Sequence, residues 1–348
     1  MVVWGSFGQD GDGFGIYTII FDSRGNNLTN EFPINNYRTS RQYHPAISAL
    51  NDTIFVVVWP SAGQDSDNLG VYATIFNSMG KKLTNEFCVN SNTTNSQDDP
   101  SISTLNDTTF VVVWSSYEQD GSGYGVYATI FDIMGNNLTN EFRVNSNIIN
   151  SQEDPSINTL NDTTFVVSWS SYEQDGSDYG VYATVFDSSG TNLTNEFRVN
   201  VYTSGNQVIP CVSSVNNTAF IVVWMSDGQD GSSWGIYAIV YNSVGLMLTS
   251  EFCVNTYKNN AQYNPTISVL NETVFVISWE SNGQDGDNFG IFFKGFSLYS
   301  QINNISPPSI PGFEFVTVGF TLLVIMIVIL THNTRKFSFS RDVLQDIF

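Results

Sequence analysis

A chain of 348 residues that is 41% hydrophobic, with 26 Phe and 16 Tyr, carries enough apolar side chain for a sizeable core, which excludes a disordered chain. Thirty-three acids against 12 bases give a net charge of −21, and so acidic a surface excludes nucleic acid as a partner, because phosphates need Lys and Arg. Three cysteines are too few for a disulfide framework, and Cys88, Cys211 and Cys253 read as small buried apolar side chains.

The chain opens with MVVWGSFGQDG, already inside a repeat and without the basic and apolar regions of a secretory leader. The expectation is a true N-terminus further upstream. Trp4, Trp59, Trp114, Trp169, Trp224 and Trp279 lie 55 residues apart throughout, so one structural unit is copied six times.

In the copy around Trp114 four strand-like runs follow one another. Pro100–Leu105 alternates apolar and small polar residues, and Asn106-Asp107 turns the chain into Thr109–Trp114, apolar on both faces. The connection SSYEQDGSGY leads to Gly125–Phe131, and a turn at Gly135 leads to a short run at Glu141–Asn145. Four short strands joined by hairpin-scale links in about 50 residues match a propeller blade. Pro45, Pro100, Pro155, Pro210 and Pro265 open the first strand of each copy, where no ladder N–H is needed. The fold expected is therefore all-β: four-stranded meanders forming a β-propeller over 1–299, plus one C-terminal transmembrane α-helix. The blades fall at about 1–40, 41–95, 96–150, 151–205, 206–260 and 261–299. The first lacks its opening strand and the last its closing one, so the ring closes imperfectly or belongs to a larger array; Ser297–Ile305 is a candidate for the missing outer strand.

Residues 300–313, with Pro307, Pro308 and Pro311, read as a stalk. Phe315–Thr331, within a segment 314–332, is uncharged and at 1.5 Å per residue spans roughly 25 Å, near the short limit for crossing a bilayer. Arg335, Lys336 and Arg341 follow it, which places the tail 333–348 in the cytoplasm and the repeats outside a cell membrane. Sequons at Asn27, Asn51, Asn92, Asn106, Asn137, Asn161, Asn192, Asn216, Asn271 and Asn304 all precede this segment and are candidate glycosylation sites on that exterior face.

The most regular polar feature is a Gln-Asp pair in each second-to-third-strand loop. The acids there are Asp10 with Asp12, Asp65 with Asp67, Asp120, Asp175 with Asp178, Asp230, and Asp285 with Asp287. Two readings stand. The carboxylates form partial Ca²⁺ cages, calcium being the one cofactor considered, or they organise the loops by accepting backbone N–H bonds. Catalysis finds little support: His44 stands alone at a repeat junction and His332 follows the apolar segment, so no His-based triad or metal cluster can form. Arg143 and Arg198 occupy equivalent outer-strand positions and read as surface residues. The same acids recurring in every copy argue against one special carboxylate pair, and the chain reads as not an enzyme.

The unit FVVVWxSxxQDGxGxGVYATxF…EFxVN resembles repeats of large prokaryotic surface proteins found beside haemolysin-type calcium-binding modules. It is also similar to the FG-GAP blades of integrin α-type propellers, but lacks their regular D-x-D-G-x-x-D. Ile310-Pro311-Gly312-Phe313, the apolar run and Arg335-Lys336 resemble archaeal surface-anchoring signals. The resemblance implies a membrane-anchored extracellular binding or adhesion protein whose loops take a protein or glycan ligand. A purely structural envelope protein and a carbohydrate-active propeller enzyme are the alternatives.

Overall fold

A computed structural model describes residues 1–303. The stalk beyond 303, Asn304, the apolar run 315–331 and the tail lie outside the described residues. Within the described residues no helix is long and apolar enough to cross a membrane.

Six antiparallel sheets follow one another in chain order, making an all-β, propeller-like array. Sheet one holds β1 (Val2–Phe7), β2 (Phe14–Ile19) and β3 (Phe32–Pro33). Sheet two holds β4 (Ala46–Asn51), β5 (Ile54–Ala62), β6 (Leu69–Asn77) and β7 (Phe87–Cys88). Sheet three holds β8 (Gln97–Asn106), β9 (Thr109–Tyr117), β10 (Tyr124–Asp132) and β11 (Phe142–Arg143). Sheet four holds β12 (Gln152–Asn161), β13 (Thr164–Tyr172), β14 (Tyr179–Asp187) and β15 (Phe197–Arg198). Sheet five holds β16 (Gln207–Asn216), β17 (Ala219–Asp227), β18 (Trp234–Asn242) and β19 (Phe252–Cys253). Sheet six holds β20 (Gln262–Asn271), β21 (Val274–Asn282) and β22 (Phe289–Ser297), followed by the short helix α1 (Leu298–Asn303).

Of the candidate segment, the described residues 297–303 supply no outer strand: among the described residues sheet six has three strands and the chain turns helical at Leu298. The sequence also set the second strand too tightly and the outer strand too generously. β9 runs on through Ser115 and Ser116, which are buried and pair with Asp98 and Gln97, so the loop shrinks to 118–123. The outer strands, by contrast, keep only two residues each in the ladder, Phe142 and Arg143 in sheet three. Cys88 is exposed, contrary to its reading as a buried residue; all three cysteines are free thiols.

The second and third strands are apolar on both faces because each sheet is sandwiched by neighbours. Val112, Trp114, Phe110, Tyr127 and Phe131 of sheet three pack on Val56, Val58, Val71, Ala73 and Ile75 of sheet two. Val111, Val113, Val126, Ala128 and Ile130, on the opposite face, pack on Phe165, Val167, Trp169 and Phe186 of sheet four. Trp59, Trp114, Trp169 and Trp224 are 0% exposed as a result.

Polar ties join the sheets as well. Gln119 Nε2 donates to Glu141 Oε1, while Glu141 Oε2 accepts the backbone N–H of Ser91 in sheet two's trailing connection. Glu86, Glu196 and Glu251 make the same two contacts, each reaching a backbone N–H 50 residues earlier. A buried Asn–Gln pair closes each connection: Asn145 Oδ1 accepts from Val126 N, and its Nδ2 donates to Gln152 Oε1.

Candidate functional site at the axis

The inner strands β4, β8, β12, β16 and β20 converge on one cavity of about 290 Å³. Equivalent residues of five sheets line it: His44, Asp99, Asp154, Ile209 and Asn264, each followed by its proline. Each has a left-handed backbone, with φ of 39°, 49°, 54°, 53° and 50°. In the last four a register shift follows, as between Asp98 and Ser101, so the strand bulges just before the proline. The bulge turns the residue out of the ladder and towards the axis. Ile209 is held this way although a β-branched side chain disfavours positive φ. Ile209→Asn, which puts the residue type of position 264 there, is expected to stabilise the body by about 1 kcal/mol, read as a raised urea midpoint.

The repeat loses its symmetry at this ring. Sheets three and four carry Asp98-Asp99 and Glu153-Asp154 before the proline, and sheets two, five and six carry Tyr43-His44, Val208-Ile209 and Tyr263-Asn264; the second residue of each pair lines the cavity. Four carboxyl groups are thus gathered on two adjacent inner strands. Tyr43 Oη donates to Asp98 Oδ2 at 2.8 Å, and Tyr179 Oη donates to Glu153 Oε1. Asp154 Oδ2 accepts from Ser170 Oγ at 3.4 Å, and Asp99 N donates to Asp98 Oδ1 at 2.8 Å.

Asp99 is open to the cavity by surface, yet the walls crowd it on every other side, as befits a group inside a funnel. Loss of hydration, then the charges of Asp98, Asp154 and Glu153, push its carboxyl up to about 8. Asp154 is pushed up to about 6, by burial first and by Glu153 next, against the Ser170 hydrogen bond. Two adjacent carboxyl groups therefore titrate in different ranges, the condition for one to hold a proton while the other has lost it.

Aromatic pairs recur near the inner-strand acids, at the ends of the second and third strands in sheets three and four and between the inner strand and the third strand in sheet six. Tyr117 packs on Tyr124 with centroids 5.0 Å apart, Tyr172 on Tyr179 at 5.0 Å, and Tyr263 on Phe289 at 5.9 Å. Burial and the charges of Asp98, Glu153 and Asp99 raise the Tyr124 hydroxyl. Rings with a polar edge beside carboxyl groups suit a ligand that has both apolar faces and hydroxyls.

The loop acids singled out in the sequence do not converge. Each stays in its own hairpin, where Oδ1 of Asp10, Asp65, Asp120, Asp175, Asp230 and Asp285 accepts the N–H two residues on. Their second oxygens lie against Gly15, Gly70, Gly125, Gly180, Gly235 and Gly290, where an added Cβ would come within 2.5–3.0 Å. That contact explains the glycine opening every GVYA block. The second acids tie the hairpin to the next connection: Asp12 and Asp67 accept from Ser40 N and Asn95 N, and Ser122 Oγ accepts from Asn150 N in the same place. Asp178 is exposed, and Asp287 accepts from Asn288 Nδ2. Among the described residues no three His, Cys, Asp or Glu side chains are grouped to hold a metal ion.

Asn51, Asn106, Asn161, Asn216 and Asn271 use Oδ1 to accept the N–H of the sequon Thr in the turn between first and second strands. Asn27, Asn137 and Asn192 are exposed after the third strand, and Asn92 is half-buried in a connection. Arg143 and Arg198 are exposed, as read from the sequence.

Neither a family model nor a curated protein matches the chain. Solved structures do. A protein of unknown function from Dyadobacter fermentans aligns with a TM-score of 0.54 at 10% identity, over 81% of this chain and 83% of its own. The GH93 α-L-arabinofuranosidase of Fusarium graminearum, in complex with arabinobiose, aligns with a TM-score of 0.51 at 13% identity, over 80% and 84%. The likeness is one of fold. It corrects the reading of the chain as not an enzyme: an array of this shape carries glycoside hydrolysis in the Fusarium protein. The argument from identical acids fails too, because the acids at the axis belong to two sheets only. The signal in the sequence was the pair before each inner-strand proline (Tyr-His, Asp-Asp, Glu-Asp, Val-Ile, Tyr-Asn), the place where near-identical copies disagree.

Proposed function

We propose that the axial funnel binds a neutral carbohydrate and that its carboxyl groups act as acid and base in glycosidic-bond cleavage. The observation that carries this reading is that Asp99 and Asp154 line one cavity, with Asp98 and Glu153 next to them in the chain, and that burial and these neighbouring charges push the two carboxyls to different heights. Asp99, protonated at neutral pH, donates to the leaving oxygen; Asp154, ionised, activates the attacking group. The surrounding tyrosines offer ring faces to the C–H side of a sugar. An acidic funnel disfavours uronic and sialic acids, which leaves neutral sugars. The arabinobiose bound by the Fusarium fold neighbour supplies the first probe.

The sequence features beyond the body extend the proposal: the 315–331 segment anchors the chain in a cell membrane with the funnel outside, where polysaccharide is encountered. The test is a panel of neutral aryl glycosides and arabino-oligosaccharides incubated with the full chain. Release of sugar that disappears in the Asp99→Asn, Asp154→Asn double variant is the expected result. A panel with neither turnover nor binding, by calorimetry on the same sugars, would overturn the reading.

A further inference from the structure

Asp99 and Asp154 occupy equivalent places in adjacent sheets, and one hydroxyl distinguishes their surroundings. Ser170 stands on β13, fully buried, opposite Glu153 in the ladder between the first two strands of sheet four. Its Oγ accepts the backbone N–H of Ile209, from the first strand of sheet five, at 3.1 Å and donates to Asp154 Oδ2. Glu153 is served elsewhere, by Tyr179 Oη. At the equivalent position of sheet three the Ser115 hydroxyl is also buried, but it has no hydrogen-bond partner among the described residues. Sheets two, five and six have Pro60, Met225 and Glu280 there.

The left-handed backbone of Ile209 has a use in this arrangement. It lies at the register shift between Val208 and Cys211, where the N–H leaves its own ladder and meets sheet four. Asn264, its counterpart in sheet six, sends its N–H the same way, to Met225 Sδ of sheet five at 3.4 Å. A backbone donor at this place reaches the sheet before it, and what it finds there differs between copies. In sheet four it finds a hydroxyl oxygen. An oxygen that receives an N–H on one lone pair turns its own hydrogen away from that donor, so the Ser170 hydrogen is preset towards Asp154.

We propose that Ser170 is a positioning residue for the acid and base assigned above: held by the Ile209 N–H, its hydroxyl keeps Asp154 the ionised member of the pair and leaves Asp99 the protonated one. The inference rests on that assignment. Around Asp154 stand Glu153 on its own strand, Asp98 and Asp99 on β8, and the Tyr179 hydroxyl, which bonds Glu153. β16 adds Ile209 and the Cys211 thiol, which burial pushes up, and His44 and Asn264 complete the wall. Neither lysine nor arginine lines the cavity, so the carboxylate has no cation there to steady it. Burial and the neighbouring carboxylates all favour its protonated form, and the Ser170 hydrogen bond acts against them.

The test compares the full chain with Ser170→Ala, Ser170→Thr and, as a control, Ser115→Ala. Ser170→Ala is expected to move the acid limb of the pH profile up by about one unit, the effect of losing one hydrogen bond to a charged group, with the alkaline limb in place. Ser170→Thr keeps the hydroxyl and restores the limb. Melting temperature over the same pH range needs no turnover. A carboxyl that titrates still higher in the folded state removes more stability once pH passes its midpoint. The gap between wild type and Ser170→Ala is therefore wider at about pH 8 than at about pH 4, whereas the Ser115→Ala gap is the same at both. A Ser170→Ala gap equal at the two pH values overturns the inference, whether or not the chain cleaves a glycoside. A gap that widens in a chain without turnover supports the tie and removes only the glycosidic reading. Should Ser170→Ala fail to fold, Ser170→Cys, with a weaker donor in nearly the same volume, takes its place with the same expectation.

Discussion

Trp114→Ala is expected to destabilise the body by about 3–5 kcal/mol, among the largest effects a single substitution here can have. Trp114 is 0% exposed, faces Tyr127 across the β9–β10 ladder, and fills the interface between sheets two and three. Its Nε1 has no hydrogen-bond partner among the described residues, so the loss is almost wholly one of packing and of the cavity left behind. The contrast is Trp4→Ala, at the equivalent position of sheet one but half-buried, which is expected to lose distinctly less. Urea unfolding of both variants checks the pair. Equal losses would mean that the stacked interfaces do not carry the stability assigned to them.

Asp99→Asn is expected to lower turnover of a cleavable glycoside by 10²–10⁴-fold, the range associated with losing a positioned proton donor. The pH profile identifies the role. A base at Asp154 gains activity as pH rises through about 6, and an acid at Asp99 loses it as pH rises through about 8, so the wild-type profile is bell-shaped. Asp99→Asn removes the alkaline limb from whatever activity remains. Stability runs with a single sign. Both carboxyls are raised in the folded state, so their contribution is fully present below the ordinary carboxylate value, near 4, and is lost as pH rises through about 6 and then about 8. The melting temperature of Asp99→Asn therefore gains on the wild type at pH 8 relative to pH 4. An alkaline limb unchanged in the variant would remove Asp99 from the chemistry.

The array was legible in the sequence because its spacing is strict and its tryptophans mark the buried face of every second strand. Strand order and turn positions followed from the Asn-Asp and Gly signals. Strand ends were less legible. Ser115 and Ser116 look like loop residues, and only the partner strand reveals that they continue the ladder. The outer strands look long because EFxVN is patterned, yet Glu141 and Asn145 serve as ties between connections and sheets, not as ladder members. The site was hidden by the repetition itself. Asp10 and its equivalents draw the eye by recurring, and they recur because every hairpin needs the same internal bond. Asp99 and Asp154 differ from copy to copy, and nothing in a linear reading says that residues 55 apart share one cavity. The bulge that aims them at the axis depends on a left-handed residue before proline, a geometry no composition signal announces.

The glutamate that ties its own hairpin to the sheet before it gives assembly a direction. Glu141 meets the Ser91 N–H only after sheet three has been made, so each unit is fastened by the one synthesised next. In a chain made from its N-terminus, the last sheet formed would lack this tie until the following sheet had folded. A wrongly folded module would leave its predecessor unfastened, and the fault would lie within reach of quality-control proteases before the next module could bury it.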